Sequence, residues 1–202
     1  MARRLGILGG TFDPPHIGHL VLADCAIQSL ALDDLLFVPA ADPPHKLATR
    51  VSIAHRLPML ERALALDPRF RLSRVDIDRP GPHYTVDMVR ILQAQQPDAE
   101  LFFLMGSDSL RDLNTWHQPR AIIEQVRLAV MRRPEADVPL SIHAALLPRL
   151  EERVVIIDAP RLEISSTEIV ERLRAGKSVR FLVPDPVLDY IETHRVYREE
   201  WL

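Results

Sequence analysis

A chain of 202 residues, 47% hydrophobic and 26% charged, is long enough for one globular domain with a sizeable core. Its formal net charge of -3 and isoelectric point near 6.2 exclude a broad basic surface for nucleic acid or an anionic membrane, and leave room only for a local basic pocket. Cys25 is the one cysteine, which excludes an internal disulfide, and its apolar neighbours make it a small core residue rather than a nucleophile. The basic start Met1-Ala2-Arg3-Arg4 leads into an apolar stretch that Gly9 interrupts, too short for a secretion signal. No run approaches a membrane span, so the sequence reads as a soluble, cytoplasmic protein.

In chain order, predicted strands cover Leu5–Leu8, Leu35–Val38, Arg71–Val75, Leu101–Met105, Leu128–Met131 and Val154–Ile157. Several are continuous apolar runs, as expected of strands covered on both faces. Between them lie amphipathic stretches predicted as helices: His16–Ser29, Ser52–Leu66, Thr85–Gln95, Arg120–Gln125 and a weaker one near Leu140–Leu150. Two more helices, Ser166–Ala175 and Asp185–Thr193, follow the last strand, with Gly176 as a stop signal. This alternation predicts an α/β fold, a doubly wound parallel sheet with helices on both faces. The 17 prolines are scattered at element boundaries and form no linker. We therefore read residues 1–202 as a single domain, with a helical subdomain from about residue 165.

Ligands of such sheets bind beyond the carboxyl ends of the strands. The first strand ends at Gly9-Gly10, where two glycines allow a tight turn and leave no side chain in a ligand's way. Pro14 and Pro15 suit the start of a helix, and a helix N-terminus offers N–H groups and partial positive charge to a phosphate. His16 and His19 share one face of that first turn, with Gly18 keeping the face uncrowded. Two imidazoles there can donate hydrogen bonds to phosphate oxygens as charge develops. Three other roles compete: capping or packing, a metal site formed with Asp13, or a dinucleotide site. The pairing beside a glycine-rich turn argues against the first, the two prolines after Asp13 against the second, and the missing G-x-G-x-x-G pattern against the third.

Further along, Pro43-Pro44-His45-Lys46 is a rigid loop whose lysine is, by default, an ordinary solvated one. Thr85 in His83-Tyr84-Thr85 serves as an N-cap or as a ligand contact. Gly106 and Asp108 follow the fourth strand, where the carboxylate either caps a helix or accepts from ribose hydroxyls. Trp116, in a core position as is usual for tryptophan or else a stacking platform, lies in a polar stretch that raises the second option. Ile164-Ser165-Ser166-Thr167-Glu168 starts a helix; Ser165 and Glu168 form a capping box, and the same hydroxyls can serve a phosphate.

The run Gly9-Gly10-Thr11-Phe12-Asp13-Pro14-Pro15-His16-Ile17-Gly18-His19 resembles the opening motif of the nucleotidyltransferase superfamily, which places a [T/H]-x-G-H element at the start of its first helix. A bare His-x-Gly-His also occurs in class I aminoacyl-tRNA synthetases, but those are much longer and carry an anticodon-binding extension. The other segments match in order: Pro43–Lys46, Tyr84-Thr85, Gly106 with Asp108 and Trp116, Arg132-Arg133-Pro134, and Ile164–Thr167 with the following Gly176-Lys177-Ser178 and Leu182-Val183-Pro184. Together they are similar to the bacterial-type nicotinate mononucleotide adenylyltransferases, from about residue 5 to residue 193.

That resemblance implies a Rossmann-like fold and transfer of AMP from ATP to nicotinate mononucleotide in NAD biosynthesis. It implies that His16 and His19 are catalytic, and that Gly9, Gly10, Thr11, Phe12, Gly18, Gly106, Asp108, Ser165, Ser166 and Thr167 bind ATP. It implies that Lys46, Tyr84, Thr85, Trp116 and Arg133 bind the mononucleotide. Mg²⁺ is expected to bridge the ATP phosphates with few protein ligands; the residues do not read out an oligomeric state, and the resemblance is compatible with a homodimer. One position departs from the family. An arginine that helps hold ATP phosphates usually follows the motif's isoleucine, and here Val170 stands there. Arg172, Arg174 and Lys177 are the nearby candidates to replace it. The residues alone do not separate nicotinate from nicotinamide mononucleotide. The competing functions are adenylyl transfer to phosphopantetheine, hydrolysis at an Asp13/His16/His19 metal site, and nucleotide binding without catalysis.

Overall fold

The computed structural model describes residues 2–41, 49–131, 139–160 and 162–197. Six strands form one sheet: β1 (Arg3–Gly10), β2 (Asp34–Pro39), β3 (Phe70–Leu72), β4 (Ala99–Gly106), β5 (Arg127–Met131) and β6 (Val154–Ile157). Their order is β3-β2-β1-β4-β5-β6 and every neighbouring pair is parallel. The chain winds outward from β1 through β2 to β3, then returns to the other side of β1 for β4. The switch point lies between β1 and β4, where Ile7 pairs with Phe103. A doubly wound sheet opens its ligand crevice there, outside the carboxyl ends.

The strands read as continuous apolar runs because alternate residues enter different cores. From β4, Leu101, Phe103 and Met105 point into a cluster with α3 (Thr85–Gln95) and α5 (Pro119–Gln125). Phe102 and Leu104 point into a second cluster with α1 (Ile17–Leu30) and α2 (Ile53–Leu64). A third cluster joins Met59 and Ala63 of α2 to α7 (Ser166–Arg174) and α8 (Asp185–Thr193). Among the described residues no helix is long and apolar enough to cross a membrane.

The expected sheet and the long helices are present, and the differences are local. Strand β3 is only Phe70–Leu72: the Ser73 N–H still donates to the Phe37 carbonyl at 2.9 Å, and the chain then turns away at Val75. The helix expected near Leu140–Leu150 is instead a 3₁₀ turn at Leu140–His143 and one turn of α6 at Leu150–Arg153. The short α4 (Ser107–Arg111), directly after β4, was not expected.

Candidate active site

The turn after β1 is built from inside. Phe12 has φ 50° and its ring is 1% exposed, packed against Phe37 at 5.7 Å and edge-on to His19 at 4.9 Å. A Cβ on Gly10 would lie 3.0 Å from that ring, so any larger residue here would press on a buried side chain. Pro14 and Pro15 precede the helix rather than opening it; His16 is the N-cap and Ile17 the first helical residue. The rings of His16 and His19 stack with centroids 3.7 Å apart. The His16 backbone N–H donates to His19 Nδ1 at 3.2 Å. A neutral His19 therefore carries its proton on Nε2, as a donor. His16 is buried, and loss of hydration pulls its pKa down to about 4. A Cβ on Gly18 would lie 3.1 Å from the His16 ring, which explains the glycine between the histidines.

The second motif meets the first at this point. Ser165 caps α7, its hydroxyl accepting from the Glu168 N–H at 3.1 Å. The Ser166 hydroxyl donates to the Pro14 carbonyl at 3.0 Å. Thr167 Oγ1 accepts from Arg50 Nη2 at 2.7 Å, and the Arg50 N–H donates to Asp13 at 2.6 Å. The other Asp13 oxygen accepts from the Tyr197 hydroxyl at 2.6 Å. Burial and that carboxylate hold the tyrosine protonated. Arg56, 1% exposed, reaches from α2 to the carbonyls of Thr11 and Ala40, both at 2.8 Å, and of Ala41 at 3.2 Å. It ties the ends of β1 and β2 together.

Across the switch point, a Cβ on Gly9 would lie 3.9 Å from Phe103, and Phe103 meets Trp116 edge-on at 5.9 Å. Tyr84, the N-cap of α3, stacks on His117 at 4.1 Å, and Thr85 is the first helical residue rather than the cap. Tyr84 and Trp116 thus pack against the same core cluster, with Thr85 following Tyr84 at the start of α3. Gly106 has nothing within 4 Å of its Cβ position, so packing does not demand a glycine there. Ser107 donates to the Met131 carbonyl at 3.1 Å, and Asp108 lies beside Arg111 at 3.5 Å on the exposed side of α4. Lys46 and Arg133 lie outside the described residues.

The cytidylyltransferase-like family model matches residues 7–172. A protein of Thermomicrobium roseum named "probable nicotinate-nucleotide adenylyltransferase" is 46% identical over 96% of this chain and 92% of its own. One of Thermus thermophilus with the same name is 46% identical over 96% of this chain and 100% of its own. This chain belongs to the cytidylyltransferase-like family. In fold it matches the Plasmodium falciparum nicotinic acid mononucleotide adenylyltransferase complexed with NaAD, with a TM-score of 0.78 over 96% of this chain and 97% of that one at 19% identity. The sheet is therefore Rossmann-like, as its strand order indicates.

Within this cytidylyltransferase-like fold, the arrangement of Asp13 counts against a metal site shared with His16 and His19. Both carboxylate oxygens are taken, one by Arg50 and one by Tyr197. Among the described residues no group of three His, Cys, Asp or Glu could hold a metal. Val170 is buried in the third cluster. Arg172 binds the Ser178 carbonyl at 3.2 Å, and Arg174 and Lys177 lie exposed at the far end of α7 or beyond. Sequence reasoning missed Arg50, Arg56, His117 and Tyr197. Arg56 alone left a signal: it sits four and seven residues before Leu60 and Ala63, on the buried face of α2.

Proposed function

We propose that this chain transfers the adenylyl group of ATP to nicotinate mononucleotide, giving nicotinate adenine dinucleotide and pyrophosphate, in NAD biosynthesis. The observation that carries the reading is the junction at the switch point. The stacked histidine pair of the first turn and the hydroxyl-rich start of α7 are joined by the Ser166–Pro14 hydrogen bond. Full-length relatives at 46% identity bear the name of this activity. A phosphate oxygen of the mononucleotide attacks the α-phosphorus in line, the bond to the bridging oxygen breaks, and pyrophosphate leaves. Such transfers need positioning and charge stabilisation more than covalent help.

The chain's residues fit those needs. His19 Nε2–H is the donor for charge developing on the phosphate oxygens, and His16 fixes its ring by stacking and through its backbone N–H. The first turns of α1 and α7 add partial positive charge. Tyr84, Thr85 and Trp116 form the acceptor's corner, with Lys46 and Arg133 as further phosphate contacts. Gly106 leaves room for the adenosine, with Asp108 toward its ribose. Mg²⁺ enters with ATP as part of the substrate; with both oxygens of Asp13 engaged, the described residues suit a metal held mainly by phosphate oxygens and water.

ATP labelled at the α-phosphorus tests the reading. The label should appear in the dinucleotide only when nicotinate mononucleotide is present. Label released as free AMP without any acceptor would instead identify a hydrolase.

A further inference from the structure

We propose that Arg50 supplies the guanidinium that binds the nucleotide's phosphates at the first turn of α7. The assignment rests on the reading of this cleft as an ATP site. Position 170 contributes no charge here, since Val170 is 1% exposed among Met59, Ala63 and Val183. Arg172 is held by the Ser178 carbonyl and lies 3.9 Å from Glu168. Arg174 lies eight residues after Ser166, roughly 12 Å along the axis, and so at the negative end of the helix.

Arg50 is placed differently. Its Nη2 donates to Thr167 Oγ1 at 2.7 Å, and its backbone is anchored to Asp13 at 2.6 Å. The side chain is exposed, and among the described residues no carboxylate lies within ion-pair reach of it. A cation at a helix N-terminus opposes the helix dipole, and such placements are ordinarily unfavourable. The guanidinium is held there by its bond to Thr167, with the Arg50 backbone anchored to Asp13, and among the described residues no ion pair neutralises it. A polyanion resolves it, meeting the guanidinium fork and the α7 amides together. The cleft is shared with the histidine pair. Ser166 binds Pro14, and a Cβ on Gly18 would lie 3.8 Å from Ile164. The buried His16 lines the same cleft at the N-cap of α1, its side chain facing the His19 N–H in a capping box.

Binding of α,β-methylene-ATP and of adenosine, each measured by calorimetry without any acceptor, tests the assignment. Arg50→Gln should weaken the analogue about tenfold or more, as loss of a charge-assisted contact requires, and leave adenosine unchanged. Its ligand-free melting temperature should equal that of the parent, and Arg50→Lys should recover part of the loss. Arg174→Gln and Lys177→Gln should bind the analogue as the parent does. Full-strength binding by Arg50→Gln would overturn the assignment, and so would an equal loss for adenosine, which marks a structural role. The outcomes separate from those for function: a protein that binds ATP but transfers to another acceptor still shows the Arg50 effect. An enzyme that forms the dinucleotide with an indifferent Arg50 keeps its function and loses this assignment.

Discussion

His16 is a histidine kept neutral by burial, and the consequence is measurable. Its pKa is about 4 in the fold against 6.5 for the free side chain. Below 6.5 the unfolded chain takes up a proton that the folded one resists, so stability is complete above that pH and falls as pH drops toward 4. The loss should approach about 3 kcal/mol, and His16→Gln should flatten that part of a urea-denaturation series run from pH 7 to pH 4. A parent curve as flat as the variant's would show that His16 is not buried in its neutral form. For His19, which we propose as the donor, replacement by Ala should lower turnover by about 10²-fold or more at unchanged folding. Turnover close to the parent's would remove it from the chemistry. The two histidines and their glycine were legible because residue types and spacing together demanded a reason. For Asp13 the sequence offered only the two following prolines as an argument against a metal ligand; the partners that engage it, Tyr197 and Arg50, are brought to it by the fold.

Elements hold these residues through a few bridging bonds. Arg56 carries a charge from α2 into the region where β1 and β2 end, and three carbonyls depend on it. Arg56→Met should destabilise the protein by about 3 kcal/mol in urea unfolding, because buried acceptors are left unsatisfied. A cost well under about 1 kcal/mol would mean that water replaces the guanidinium there. Ser166→Ala removes the bond from α7 to the first turn. It should cost only about 1 kcal/mol of stability and yet lower turnover at least tenfold, since small misplacements of a reacting group are costly. Loss of stability without loss of turnover would count against α7 as part of the site. The central strands and the amphipathic helices were readable from periodicity, because both faces of β1 and β4 are covered. The extent of strand β3 and the segment from Leu140 to Leu150 were not, because edge pairing and 3₁₀ turns depend on distant neighbours rather than on local pattern.

At the scale of the whole molecule, strand order decides where chemistry can occur. The β1–β4 junction brings Gly9, Gly10, Gly106 and the aromatic corner around Trp116 to one edge, while the C-terminal helices close on α2. The sequence showed the parts of this site as separate motifs; their meeting through Ser166, Arg50 and Phe103 needed the fold. Pyrophosphate release from ATP and Mg²⁺, compared among nicotinate mononucleotide, its amide and phosphopantetheine, tests the central claim most directly. Release with nicotinate mononucleotide well above the other two is the expected result. Equal or greater release with phosphopantetheine, or none with any acceptor from a protein that still binds ATP, would contradict it.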